Sequence, residues 1–375
     1  MTSPPTVLLL AGEASGDQHA AAVARELRSR VPGVRLLGLG GPSMSAEGVE
    51  LLAGLDRLAV MGLLEVVRHL GFFRRLLSTV VRLLESGEVD LVLAVDYPGF
   101  NLRVARAAHR LGVPVLYYIS PKVWAWKRWR ARDLAEHTRH VAVILPFEQE
   151  VLEAAGVRAS FVGHPLLERR DEVPTRDRFC AGLGLDPDRP VLALLPGSRR
   201  QEVERHLETF ARAARQVRSV RPDVQPVLGR AATIPEAWLA SAGLPMTTEV
   251  RALLRHSRAG LVKSGTCTLE AALEGTPIVV AYRTDPLTAL LARRLLRVPH
   301  VALPNLVAGR EVVPELLQGA ATPEALAAAL LPLLDETPRR ARQLEELARI
   351  RGALGTAGAS ARVAELAADL LGGCS

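Results

Sequence analysis

The sequence predicts an α/β chain built on two doubly wound parallel sheets, and three observations carry that expectation. Short apolar runs alternate with longer helical patterns along nearly the whole chain. Several runs stop at a glycine or proline followed at once by polar residues, as in GEASGD, VDYPGFN and LPGSRRQE. A polar, proline-punctuated stretch, HPLLERRDEVPTRDRF at 164–179, reads as a linker between an earlier and a later set of runs. With 375 residues and 49% hydrophobic composition, two ordinary cores are expected rather than one very large one.

In the first set the runs are TVLLLA (6–11), DLVLAVD (90–96), VPVLYYI (113–119) and HVAVILP (140–146). The first delivers Glu13, Ser15 and Asp17, framed by Gly12 and Gly16. A phosphate cradle would show a lysine and bare backbone amides, because carboxylates repel phosphate, so this loop is predicted to hold something hydroxylated. Doubly wound sheets bind ligands beyond the carboxyl ends of their strands. Asp96 ends the second run, and Pro98 and Gly99 force an immediate turn, so its carboxylate is expected to project into a cleft between two facing sheets. There it is a candidate general base, with an ordinary turn-capping aspartate as the competing reading. Asp90 lies six residues away, which leaves no D-x-D metal pair.

The stretch at 61–85 carries Leu63, Val66, Val67, Leu70, Phe73, Leu77, Val80, Val81 and Leu84 at helical spacing, with Arg68, Arg75 and Arg82 on the opposite face. Leu64, Phe72, Phe73 and Leu76 beside Arg74 and Arg75 add more apolar surface than one core contact needs. A buried core helix and a basic, greasy surface resting on anionic lipid are both compatible with it. Trp124, Trp126 and Trp129 stand among Lys127, Arg128, Arg130 and Arg132, a combination able to stack bases. The cluster is short and belongs to no nucleic-acid-binding pattern, so no nucleic-acid partner is expected. His164, before a proline in the linker, reads as a hydrogen-bonded hinge residue rather than a catalytic imidazole.

The second set contains PVLALLP (190–196) and TPIVVAY (276–282). Arg199, just past the first of these, offers a permanent cation to phosphate or carboxylate. AGLVKSGTCTLEAALEGTPIVVAY at 259–282 reads as strand, Ser-Gly-Thr turn, short helix and strand, with Thr266 or Ser264 placed to cap the helix. Such a helix start is a ready anion site, and Glu270 one turn on is suited to a ribose hydroxyl; an ordinary capped helix is equally compatible.

The net charge is +7, and of 47 basic residues only Lys122, Lys127 and Lys263 are lysine. An arginine bias of this kind follows genome base composition as readily as a polyanionic partner. Cys180, Cys267 and Cys374 are far apart, odd in number and in no metal spacing, which fits a reducing cytoplasm. No signal-type segment and no run of 18 apolar residues occurs, so neither secretion nor a membrane span is expected.

Taken in order, GEASGD, VMGLLEV, VDYPGFN, YYISPKVWAWK, VILPFE, VGHPL, LLPGSRRQEVERH, SGTCTLEAAL, VVAYR and LPNLVAGREVVPELLQ make the chain resemble the lipid-A-disaccharide synthase family from about residue 6 to about residue 335. The resemblance implies a GT-B glycosyltransferase of two Rossmann-like domains facing a cleft. Residues 1–165 would form the acceptor and lipid-side domain, 166–339 the UDP-sugar domain, and 340–375 a helical segment crossing back to the first. The implied reaction is an inverting, metal-free, cofactor-free transfer from UDP-2,3-diacylglucosamine to 2,3-diacylglucosamine 1-phosphate, releasing UDP. In it Asp96 would be the base, Glu13 and Ser15 would hold the acylated glucosamine, and Arg199, Ser264, Gly265 and Thr266 would clamp the diphosphate. Glu270 would meet the ribose and Asn305 either substrate. The acylated substrates would give Leu64, Phe72, Phe73, Leu76, Arg74 and Arg75 a membrane or acyl-chain role, on a protein peripheral to the cytoplasmic face of the inner membrane. Exchange of the tail between protomers is the expected route to a homodimer.

The chain departs from the family at two places, and residues 340–375 match it only as helix-forming, Ala- and Leu-rich sequence. Lys263 stands where the family more often has a small residue, and 227–256, the region expected to contribute the uracil pocket, matches poorly. Another UDP-sugar enzyme, such as an epimerase or the lipid II-forming transferase, is the nearest rival, and a non-catalytic binding protein is the rival from another class.

Overall fold

The computed structural model describes residues 4–55, 70–124, 129–169, 171–285 and 299–372. The chain forms two compact units, one of residues 1–169 with 354–375 and the other of residues 170–353. Leu64, Trp126, Lys127, Arg128 and Cys374 lie outside the described residues.

The first unit runs β1 (Thr6–Ala11), α1 (Ala14–Arg30), β2 (Arg35–Gly40), α2 (Pro42–Ala46), β3 (Glu50–Gly54), α3 (Leu70–Glu85), β4 (Leu91–Val95), α4 (Pro98–Arg110), β5 (Val115–Tyr118), α5 (Trp129–His137), β6 (His140–Val143), α6 (Pro146–Glu153) and β7 (Ala159–Phe161). Its seven strands are parallel in the order β3-β2-β1-β4-β5-β6-β7. Side-chain alternation divides the core between the two faces of the sheet. Leu8, Leu10, Val92, Ala94 and Tyr117 pack towards Leu76, Val80 and Leu84 of α3 and Val104 of α4. Val7, Leu9, Leu91, Leu93 and Tyr118 pack towards Ala20, Val23 and Leu27 of α1.

The second unit runs α7 (Arg176–Gly182), β8 (Val191–Leu195), α8 (Arg200–Val220), β9 (Gln225–Gly229), β10 (Met246–Thr247), α9 (Val250–His256), β11 (Ser257–Lys263), α10 (Cys267–Glu274), β12 (Ile278–Tyr282), α11 (Leu303–Ala308), β13 (Glu315–Leu317), α12 (Pro323–Leu334) and α13 (Pro338–Ala353). Its parallel sheet has the order β10-β9-β8-β11-β12-β13. Leu192, Leu194, Leu261 and Val279 are packed with Phe210 and Ala214 of α8 and Leu326, Leu330 and Leu333 of α12. α13 buries Leu347 and Ile350 in this unit, and only beyond it does the chain rejoin the first.

The last helix, α14 (Ala359–Gly372), packs on α1 in the first unit and buries Val363, Ala364 and Ala367. Glu168 fastens it by accepting the Ser360 backbone N–H at 2.8 Å and the Ser360 hydroxyl at 2.6 Å. Arg362 adds a donor bond to the Val162 carbonyl at 2.8 Å.

The helix over 70–85 answers part of the question its sequence raised. Leu76 is 7% exposed and Phe72, Phe73, Leu77 and Val81 pack partly buried against the same core, with the Phe73 ring 6.5 Å from that of Phe100. Positions 76, 80 and 84 are four apart, so they share the buried face, and Leu76 is a core residue rather than a lipid contact. Arg74, Arg75 and Arg82 are exposed, as the spacing predicts for the last two.

Candidate functional site

Strand order reverses in the first sheet between β1 and β4, which pair in register with Ala11 opposite Val95. The two polar turns of the sequence, GEASGD and VDYPGFN, therefore leave neighbouring strand ends at the switch point, where such sheets open a crevice. A Cβ on Gly12 would sit 2.3 Å from the Tyr97 ring, so the glycine is what lets the two turns close on each other.

The turn after β4 is unusual. Asp96 and Tyr97 both adopt left-handed backbone, with φ of +46° and +47°, a conformation non-glycine residues seldom take. It is held from several sides. The Tyr117 hydroxyl donates to the Asp96 carbonyl at 2.6 Å, the Asn101 side-chain amide donates to the same oxygen at 2.8 Å, and the Asp96 N–H donates to the Tyr118 carbonyl at 2.9 Å. α4 starts immediately at Pro98. The Asp96 carboxyl is thus aimed by the fold while remaining open to solvent. Incomplete hydration among the surrounding protein atoms pushes its pKa up to about 6, with the Glu13 carboxylate adding to the rise; the Tyr97 N–H and Lys122 oppose it.

Glu13 is the half-buried N-cap residue of α1, but its side chain makes no cap hydrogen bond. Ser15 is exposed in the first turn of that helix. Asp17, the other acid of the motif, is 2% exposed and structural: it accepts the N–H groups of Gly41, Ser43 and Met44 at 2.7, 3.0 and 3.1 Å and so caps α2.

A further buried carboxylate stands on α6, after β6 of the same sheet. Glu148, 3% exposed, accepts the Trp124 indole N–H at 2.9 Å and the Leu145 N–H at 3.2 Å. Burial pushes its carboxyl up to about 7 against the opposing donors. The sequence signal was the PFE helix start, with proline first and glutamate third. Trp124 is thereby built into the protein, its ring edge-on to Phe147. His164 is 4% exposed and its Nδ1 accepts the Leu166 N–H at 3.2 Å, the hydrogen bond expected of it; burial and His19 bring its pKa down to about 4, so the ring is neutral.

The second sheet repeats the arrangement. Its order reverses between β8 and β11, with Leu195 opposite Val262, so LPGSR and KSGT leave neighbouring strand ends. Arg199 is the exposed N-cap residue of α8. Thr266 is the N-cap residue of α10 and exposed, yet its side chain makes no cap bond, and the Ser264 hydroxyl donates to the Val301 carbonyl at 2.8 Å. Neither therefore caps the helix as expected, because Thr266 is already in helical backbone and Ser264 is turned towards 301. Gly265 lies between them, and Glu270 is half-buried one turn on.

Asn305 is a correction. It is fully buried, its amide donates to the Val313 carbonyl and Glu315, and its Oδ1 accepts the N–H groups of Val312 and Val313. Every polar atom is committed within the fold, so none is left for substrate.

A calicheamicin glycosyltransferase superposes with a TM-score of 0.63 at 19% identity, covering 99% of both chains. UDP-GlcNAc 2-epimerase from Neisseria meningitidis, solved bound to UDP-GlcNAc, superposes at 0.67 with 13% identity, covering 97% of this chain and all of that one. Two such sheets, each with its turns at a switch point, define the GT-B class of α/β fold. The family model for lipid-A-disaccharide synthetase matches residues 7–367. The lipid-A-disaccharide synthase of Geobacter sulfurreducens is 40% identical over 98% of this chain and 97% of its own. The chain belongs to the lipid-A-disaccharide synthase family, whose members are enzymes with a glycosyltransferase role in lipid A biosynthesis.

Proposed function

We propose that this protein transfers the sugar of UDP-2,3-diacylglucosamine to the 6-hydroxyl of 2,3-diacylglucosamine 1-phosphate with inversion and without a metal. The observation that carries the reading is Asp96: a carboxylate aimed by a clamped left-handed turn, with its pKa raised to about 6. A base of that strength is ionised at neutral pH and still takes a proton readily. Asp96 accepts the hydroxyl proton as the acceptor oxygen bonds to the anomeric carbon. The bond from that carbon to the diphosphate breaks, and UDP leaves with the electron pair. Glu13 and Ser15 hold sugar hydroxyls beside Asp96. Arg199, Gly265 and Thr266 meet the diphosphate, the first as a cation and the others through the start of α10, with Ser264 shaping the turn and Glu270 on the ribose.

The acylated substrates call for work at the cytoplasmic face of the inner membrane. No described helix is long and apolar enough to cross a bilayer, so the proposed attachment is peripheral, through Arg74, Arg75 and the exposed parts of Phe72 and Phe73. A homodimer would form by exchange of α14 onto the α1 seat of a second protomer. The test is to incubate the protein with both lipids, with and without a chelator, and follow products by mass spectrometry and NMR. Tetraacyl disaccharide 1-phosphate with a β-1,6 linkage, formed equally with chelator, supports the reading; UDP-sugar consumption without disaccharide contradicts it.

A further inference from the structure

Lys263, the last residue of β11, is held by a carboxylate 61 positions upstream. Its Nζ donates to Glu202 Oε1 at 2.7 Å and lies 5.5 Å over the Tyr282 ring. Both partners are largely enclosed, with side-chain exposures of 15% and 18%. The other oxygen of Glu202 accepts the Ser198 N–H at 3.0 Å. One carboxylate thus ties the loop after β8 to the last residue of β11, across the switch point of the second sheet. The fit is close: Gly197 has φ +137°, and a Cβ there would meet Glu202 Cβ at 2.4 Å. His206 supplies no charge to this carboxylate. Its Nδ1 lies 2.7 Å from the Glu202 carbonyl and its Nε2 accepts the Arg283 N–H at 2.9 Å, so both nitrogens are committed as a neutral ring.

A carboxylate behind an anion-binding turn repels the anion unless a cation is set against it. A Cβ on Gly265, in the turn proposed for the diphosphate, would be 3.7 Å from Lys263 Nζ, so the neutralising charge stands at that turn. We propose that Lys263 is a positioning residue for the donor: it neutralises Glu202, which can then brace the Gly197–Arg199 loop without repelling a nucleoside diphosphate. The inference rests on the donor reading above.

The test is calorimetric titration of the full-length protein with UDP and with uridine, for the wild type, Lys263→Met, Glu202→Gln and the double variant. Wild type that fails to bind UDP overturns the donor reading and this inference with it, before any variant is compared. Given wild-type binding, Lys263→Met is expected to weaken UDP about tenfold or more while leaving uridine unchanged, and Glu202→Gln in that background to restore UDP to within about threefold of wild type. Glu202→Gln alone is expected to bind UDP at least as tightly as wild type, a readout that stands even if Lys263→Met folds poorly. Unchanged UDP affinity in Lys263→Met, a double variant as weak as Lys263→Met, or a weakened Glu202→Gln would each overturn the proposal.

Discussion

The Tyr117 hydroxyl donates to the backbone carbonyl of Asp96 at 2.6 Å, 21 residues along the chain. Tyr117 is fully buried and lies on β5, the strand that pairs with β4, so the bond runs from a rigid sheet to the strained turn beside it. Strain of this kind persists only where the surroundings over-determine it. Tyr117→Phe keeps the ring and removes the bond. We expect the fold to survive, turnover to fall about tenfold as Asp96 loses its aim, and UDP affinity to stay unchanged. Steady-state kinetics beside UDP titration checks this; unchanged turnover would leave Asn101 as sufficient support.

The pKa of Asp96 sets the pH dependence. As the base it works only when ionised, so kcat/KM should rise tenfold per pH unit below about 6 and level off above it. The stability effect has the opposite sense. A carboxyl whose folded pKa is raised from 3.8 to about 6 favours the protonated folded state. Its contribution is present below pH 3.8 and lost as pH rises through about 6. Asp96→Asn should therefore be the more stable protein at pH 7, by at most ~1 kcal/mol once solvent screening is allowed for, and no more stable at pH 3.5. Thermal melts at the two pH values test it.

Asn305 acts on folding rather than on substrate. Asn305→Ala removes two donors and an acceptor and strands the N–H groups of Val312 and Val313, a loss of about 2–5 kcal/mol. Denaturant melts should show that loss, while KM for both substrates in the folded fraction stays at the wild-type value.

The helix over 70–85 separates core from surface. Phe73→Ser removes a ring packed near Phe100 and should destabilise the protein by about 2–4 kcal/mol. Arg74→Glu with Arg75→Glu changes only exposed side chains. It should leave the melt unchanged and weaken binding to anionic vesicles by about 1 kcal/mol or more per reversed charge in a flotation assay.

Much of this was legible in the sequence for physical reasons. The runs at 6–11, 90–96, 113–119, 140–146, 190–196 and 276–282 all contain strands, because central parallel strands are apolar on both faces. β2 was hidden by glycines at 38 and 40, β9 by Pro226, and β3 and β13 by polar ends on sheet edges. Asp96 was legible because a buried strand ended on it. The direction of the Asn305 amide was not, since a polar residue in a loop motif reads alike whether it faces substrate or backbone. Glu148 and Glu202 were missed for a related reason. Each resembles an ordinary first-turn glutamate until Trp124, 24 residues away, or Lys263, 61 residues away, is brought against it.

The most direct measurement is turnover of the two lipid substrates by wild type and Asp96→Asn, with UDP affinity measured on both. The account predicts a fall of about 10²–10⁴-fold in kcat, the usual contribution of a general base, with UDP affinity nearly unchanged. An Asp96→Asn protein that turns over like wild type would remove Asp96 from the mechanism and contradict the account.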